Sequence, residues 1–246
     1  MPKKTPRSAD PAKLIGLLWA PSTAVGRTGT TLGAVVVAAV GIADTEGLDA
    51  LSMRRLANEV GVGAMTLYGY VPGRAELLEL MLDSIAGQTY AGRALPRAKR
   101  TVRTAIRYIA ECNWELALAH PWSVEIPPGR PIVGPGSSQK YEHELEPLDG
   151  IGLTDHEMDA LLTTVLSMVD ASARWQLSLE RSRADSALTD EQWWQAAAPI
   201  LARSMQGLVL PVASRVGTAV ASAGDPRATL EFGITAVADA VVARLK

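Results

Sequence analysis

Residues 51–74 read LSMRRLANEVGVGAMTLYGYVPGR, and this stretch decides the fold of the chain. Ser52 is a good helix N-cap, because its hydroxyl can accept a hydrogen bond from a free backbone N–H of the first turn. Gly61 can end that helix, since glycine adopts the left-handed conformation without a Cβ clash. A second short helix then runs to about Tyr70 and stops before Pro72, because a proline disfavours helical geometry in the residue preceding it. Two short helices joined by a glycine turn predict a helix-turn-helix.

Periodic apolar residues predict one helix before this pair and one after it. Thr31 is the expected N-cap of a helix that runs to about Glu46, with apolar residues at i, i+3 and i+4 spacing. Another helix from Gly73 to about Tyr90 carries a similar stripe and connects the helix-turn-helix to the remainder of the chain. A three-helix unit with a linking helix follows from these patterns.

This stretch resembles the DNA-binding domain of the TetR family of bacterial transcription regulators over roughly residues 28–90. The similarity is carried by residues 51–57, the Gly61-Val62 turn, Leu67-Tyr68, and Arg74 followed by Leu77-Leu78. It implies that the second helix of the unit lies over the DNA backbone and that the third enters the major groove. The chain departs from the family at Tyr70, where histidine is usual, at Gly69, where a larger residue is common, and at Arg74, where lysine is usual.

The resemblance also implies which side chains meet DNA. Ala64, Met65 and Thr66 would face base edges, where Thr66 can form a hydrogen bond and the other two can contact a thymine methyl. Arg54 would reach a base and suits guanine O6 and N7. The residues assigned to the phosphate backbone are Arg27, Thr31, Ser52, Tyr68, Tyr70 and Arg74. The alternatives are that Arg54 belongs to a solvated helix face and that Tyr68 packs against the first helix of the unit.

Composition and charge agree with a soluble DNA-binding protein. The 246 residues carry a formal net charge of −2, but residues 1–74 hold an excess of three positive charges, which sits where phosphates must be met. With Cys112 as the only cysteine, no intramolecular disulfide can form. The sequence contains no apolar run of about 18 residues and no apolar segment behind its basic start, so we expect a cytoplasmic protein with no membrane span.

We expect an all-α protein of three parts: a flexible N-terminal arm (1–29), a helix-turn-helix DNA-binding domain (30–76) and a C-terminal effector-binding and dimerisation domain (77–246). In the arm, Lys3, Lys4 and Arg7 would follow the phosphate backbone or the minor groove. The alternative is that the apolar patch at 14–19 makes the arm dock on the body of the protein.

The C-terminal part is predicted to be a helical bundle around a pocket. Helices are expected over about 101–119, over 154–182 behind a capping box, after Thr189 and over 226–246. Between the first two, seven of residues 126–136 are proline or glycine, which excludes a regular element and suits a pocket wall. This turn resembles the TetR subgroup with a tetracycline-repressor-like C-terminal domain. That resemblance implies a homodimer through the 154–182 and 226–246 helices; the alternative is that the apolar stripe of the last helix is core within one subunit.

The pocket would be lined by large aromatics beside a few polar groups, which suits an apolar or aromatic small molecule. The candidate effector-binding residues are Asn113, Trp114, His120, Trp122, Met168, Ser172 and Trp175. For each tryptophan the alternative is an ordinary core position. His120, His143 and His156 show no metal-ligand spacing, and no acid–base or nucleophile cluster is recognisable, so we expect no metal, no cofactor and no enzymatic activity.

These patterns together predict a homodimeric transcriptional repressor that a small-molecule effector releases from a palindromic operator. The alternative is a ligand-independent regulator, or an activator, whose C-terminal domain only dimerises.

Overall fold

A computed structural model of the protein describes residues 10–27, 29–127, 129–220 and 224–245. Within these residues the chain forms helices and no β-strand, with one isolated bridge between Ala24 and Thr31. The α-helices are α1 (Pro11–Leu18), α2 (Leu32–Glu46), α3 (Met53–Glu59), α4 (Ala64–Tyr70), α5 (Arg74–Ala86), α6 (Val102–Ala119), α7 (Pro135–Leu145), α8 (Asp155–Ser186), α9 (Asp190–Ser204), α10 (Pro211–Val220) and α11 (Pro226–Arg244). The all-α prediction is confirmed. In the described part of the chain, no helix is both long enough and apolar enough to span a bilayer.

The helix-turn-helix forms as the sequence predicts. Thr31 Oγ1 accepts from the backbone N–H of Ala34 and caps α2, and Ser52 Oγ caps α3 in the same way. Gly61 has a φ of 69°, the left-handed conformation that the turn between α3 and α4 requires. Leu67 is fully buried and fastens α4 to the core formed by α2, α3 and α5.

The N-terminal segment is packed against the body. Asp10 caps α1, and Leu18 and Val25 are buried in the same core as α2 and α5. The indole Nε1 of Trp19 donates to the backbone oxygen of Val133, at 2.8 Å. The prediction of a flexible arm over 1–29 is therefore wrong for residues 10–27, because apolar side chains of this segment pack into the core. Lys3, Lys4 and Arg7 lie outside the described residues.

Helix α7 is an element that sequence patterns did not predict. Its start is fixed from a distance: the Asp83 carboxylate of α5 accepts from the backbone N–H of Gly136 at 3.2 Å and of Ser137 at 2.8 Å. These are the orphan donors of a helix N-terminus, which favour a negative charge. Pro135 occupies the first turn, where its missing N–H is harmless. The irregular Pro/Gly stretch thus ends at Gly134.

The C-terminal core lies between α6, α8 and α11. The capping box of Thr154 and Glu157 opens α8, as predicted. This helix continues to Ser186, beyond its predicted end at residue 182. On α11, Leu230 and Ile234 are buried against the same subunit's α6 and α8. The predicted apolar stripe of the last helix therefore belongs, at these positions, to the core of one subunit.

Candidate DNA-reading surface and effector cavity

The outer face of α4 is an exposed surface of mixed chemistry. Met65 is 83% exposed, Thr66 and Tyr68 are also exposed, and Ala64 is half-buried. Leu67, on the opposite face, is the buried residue that packs α4 into the core, so the exposed Met65 and Tyr68 are not required for this packing. Of the residues that were predicted to face base edges, Met65 and Thr66 are therefore accessible, whereas Ala64 packs partly against the N-terminal core.

Helix α3 presents one of its two arginines without an ion pair in the described structure. Arg55 bonds to Glu46 Oε1 at 2.5 Å and lies 3.8 Å from Glu59, so it belongs to a solvated charge network. Arg54 is exposed on another side of the helix, and the hydroxyl of Ser52 is engaged in capping. Arg54 is thus the α3 cation available to a ligand.

Two of the predicted phosphate contacts have structural roles of their own. The guanidinium of Arg74 donates to the backbone oxygen of Leu48 at 2.7 Å and to that of Leu51. These bonds tie the start of α5 to the loop before α3, so Arg74 has a structural role. Tyr70 is half-buried against the N-terminal core. Arg27 is exposed, and its neighbour Gly26 lies close to Thr66 of α4.

A cavity of about 660 Å³ lies between α5, α6, α7 and α8, closed on one side by the loop before α7. Its apolar wall is formed by Leu82, Ile85, Ala86, Leu116, Ala117, Val124, Ile132, Val133, Leu166 and Val169. This volume lies within the usual range for small-molecule sites, and the mainly apolar lining is typical of them.

One end of the cavity is polar. The Glu144 carboxylate is only 1% exposed and accepts from the Tyr90 hydroxyl at 2.9 Å and from Asn113 Nδ2 at 2.6 Å, both at Oε1. Its Oε2 accepts from Lys140 Nζ at 2.7 Å. Burial raises the pKa of Tyr90, and the adjacent Glu144 charge raises it further, so Tyr90 stays a neutral donor.

Family models match both parts of the chain. The model described as "Bacterial regulatory proteins, tetR family" matches residues 35–81, and "Tetracyclin repressor-like, C-terminal domain" matches residues 95–244. The chain belongs to the TetR family. It is therefore a helix-turn-helix transcriptional regulator, and the TetR family consists of regulators and not of enzymes.

Relatives of this TetR-family chain include the "HTH-type transcriptional repressor DrrR1" of Streptomyces coeruleorubidus, 38% identical over 213 residues, which cover 85% of this chain and 78% of that protein. Among solved structures, ActR of Streptomyces coelicolor in complex with (S)-DNPA is similar with a TM-score of 0.65, 28% identity, and coverage of 85% and 96%. The ActR complex with actinorhodin gives a TM-score of 0.64, 26% identity, and coverage of 88% and 98%.

Most effector candidates chosen from the sequence of this TetR-family member lie away from the cavity; only Asn113 lines it. Trp114 is core, with the Arg227 guanidinium 5.7 Å from its ring centroid. Met168 lies directly against Gly233 of α11. Ser172 is buried. Trp175 is partly exposed and touches Gly224. The alternative reading of tryptophan as core holds for Trp114.

His120 and Trp122 instead join the two domains. Asp44 Oδ1, near the end of α2, accepts from Trp122 Nε1 at 2.6 Å and is 2.8 Å from His120 Nδ1. The next two residues along the chain, Ser123 and Val124, line the cavity. Sequence reasoning missed Asp44, Lys140 and Glu144, because an acid or a lysine on a helix carries no local signal of a distant partner.

No group of three or more histidine, cysteine, aspartate or glutamate side chains that could hold a metal ion occurs in the described ranges.

Proposed function

We propose that the protein is a homodimeric repressor in which the α4 helices of two copies read the halves of a palindromic operator, and that a small molecule in the 660 Å³ cavity releases it. The single observation that carries this proposal is that α5 serves both sites. Its Leu82 and Ile85 wall the cavity, while Arg74 at its start holds the loop before α3. As a protein that binds bacterial DNA, it would work in the cytoplasm.

Readout of the operator would combine base and phosphate contacts. Thr66 would form a hydrogen bond to a base edge, Ala64 and Met65 would contact a thymine methyl, and Arg54 would bind guanine bidentately. Ser52, Tyr68 and Arg27, with Thr31 at the N-terminus of α2, would position the unit on the phosphates.

Dimerisation would use the outer faces of α8 and α11. Phe232 of α11 is 80% exposed although it is large and apolar. Further exposed apolar side chains lie on α9, on α10 and on the segment between them: Trp193, Ile200, Leu201, Leu208, Val209, Leu210, Val212, Val216 and Val220. Exposed large apolar side chains in this number support an interface, and α8 and α11 from each copy would make a four-helix bundle about a two-fold axis.

The effector would be a largely apolar, aromatic small molecule. The apolar walls support this class, and ActR, which is 26–28% identical, has been solved with actinorhodin and with (S)-DNPA. A ligand against Leu82 and Ile85 would favour a different tilt of α5. The two α4 helices would then no longer match the separation of about 34–36 Å between successive major grooves, so the ligand would shift the population away from the DNA-binding state. The cavity favours this model over a ligand-independent regulator.

The test begins with an operator obtained by repeated selection of random duplexes on the full-length protein. Its affinity for the wild type, Arg54→Ala and Tyr68→Ala would be measured by fluorescence anisotropy, with Asp49→Asn as a control at an exposed acid of the same domain. We expect a loss of about five- to 160-fold in Arg54→Ala, since a bidentate arginine–guanine pair is worth about 1–3 kcal/mol. Tyr68→Ala, which removes a phosphate contact, should also weaken binding, and more evenly across operator sequences. Unchanged affinity in both would reject the assigned contacts.

A further inference from the structure

The polar end of the cavity contains a buried ion pair between Glu144 and Lys140. The carboxylate has more hydrogen-bond partners than the ammonium. Glu144 receives three hydrogen bonds, from Tyr90, Asn113 and Lys140. Both N–H groups of the Asn113 amide are engaged, because Nδ2 also donates to the backbone oxygen of Ile109 at 2.9 Å. Tyr90 and Asn113 therefore hold the carboxylate and have no donor left for a ligand.

Lys140 differs from these partners. Its side chain is 13% exposed and lines the cavity, and in the described structure its ammonium is hydrogen-bonded to Glu144. An ammonium has three N–H donors, so two more can bond to an acceptor in the cavity. A ligand oxygen at this end of the cavity would accept from them, and a charged oxygen would make the stronger bond.

The other charged groups of the cavity lie on α8 and are more exposed. Asp170 is paired with Arg174 at 2.7 Å, and Asp159 accepts from the Tyr141 hydroxyl at 2.8 Å. A cationic ligand would thus meet carboxylates only at the rim. The buried polar end presents the ammonium of Lys140, and a charged hydrogen bond at a buried site is stronger than in water.

We propose that the effector carries an ionisable oxygen, a phenolate or carboxylate on a flat apolar ring system, and that Lys140 receives it. Tyr90, Asn113 and Glu144 are positioning residues that fix the Lys140 side chain. This inference rests on the proposed function, because it describes the ligand of the same cavity.

The test uses 1,2-dihydroxyanthraquinone, whose visible absorption changes when its phenol ionises, and DNA-free full-length protein. Bound next to a cation, the phenol should ionise about one pH unit or more below its value in free solution. Lys140→Met should abolish this shift and weaken binding of the ionised dye at least about tenfold. Lys140→Arg, which keeps the charge, should retain part of the shift, and Asp159→Asn at the rim should leave it unchanged.

Three results would overturn the inference: no binding of the dye to the wild type, the same shift in Lys140→Met as in the wild type, or tighter binding of ethidium, a flat cation, with loss of that binding in Asp159→Asn. Circular dichroism of each variant checks folding, and the retained shift in Lys140→Arg separates lost charge from lost structure. Release of the selected operator is measured separately. A shifted dye that leaves the operator bound would refute the effector model and support the Lys140 site, whereas release that does not depend on Lys140 would do the reverse.

Discussion

Replacing Asp44 with alanine should weaken the junction between the DNA-binding domain and the cavity. Asp44 Oδ1 is the acceptor for Trp122 Nε1 at 2.6 Å and for His120 Nδ1 at 2.8 Å. Trp122 is 1% exposed, but Asp44 itself is exposed, so water can partly replace the lost carboxylate at the indole N–H. A typical hydrogen bond contributes about 0.5–1.5 kcal/mol to stability, and two are lost. The expected decrease in the free energy of unfolding is therefore about 1–3 kcal/mol.

The measurement is urea denaturation of full-length protein at one fixed concentration, because the stability of the proposed dimer would depend on concentration. Asp44→Asn keeps an acceptor oxygen and should cost less than half as much as alanine. Asp49→Ala, at an exposed acid of the same domain, should change stability by no more than about 0.5 kcal/mol. In a double-mutant cycle with Trp122→Phe, which lacks the N–H, the cost of Asp44→Ala should shrink. Equal effects of Asp44→Ala and Asp49→Ala would refute this reasoning.

Three further predictions follow from single contacts. Phe232→Glu should turn the dimer into a monomer in light scattering after gel filtration and abolish operator binding, because it places a charge in the proposed apolar interface; a dimer of wild-type affinity would contradict this. Leu67→Ala, at a fully buried position, should cost about 2–5 kcal/mol in denaturant unfolding, and a cost of only about 0.5 kcal/mol, typical of a surface substitution, would show that α4 is not anchored as described. The pKa of Glu157 is lowered to about 2 by the backbone N–H of Thr154 and by Arg244, so its contribution to stability is complete above its ordinary pKa of 4.5 and is lost as pH falls toward 2; Glu157→Gln, which can still cap α8, should flatten the acid dependence of unfolding in that range, and an unchanged slope would refute the assignment.

Local chemistry made the DNA-binding half predictable. The side chains of Thr31 and Ser52 accept from backbone N–H groups only three residues away, and Gly61 adopts a positive φ itself. Because these interactions are local, a short stretch of sequence is enough to predict them. The first residue of α3 and the turn that ends it before α4 follow from such local contacts. Arg74 is the exception, because its acceptors lie more than twenty residues earlier and nothing near it in sequence points to them.

The cavity could not be predicted in the same way. Helix α7 begins where Asp83 of α5 meets its N-terminus, a contact across 54 residues that sequence patterns do not reveal. Helices α6 and α8 are apolar on more than one side, so periodicity does not tell which side faces the cavity and which faces α11. Tryptophans were therefore placed in the pocket, whereas Trp114 fills the core and Trp122 joins the domains.

The central claim is that one exposed helix pair is presented twice by a symmetric dimer. A hydroxyl-radical footprint of the full-length protein on its selected operator tests this claim most directly. We expect two symmetric protected patches on one face of the duplex, centred about 10–10.5 base pairs or a multiple of it apart. One unrepeated patch, or patches on opposite faces of the duplex, would contradict the account.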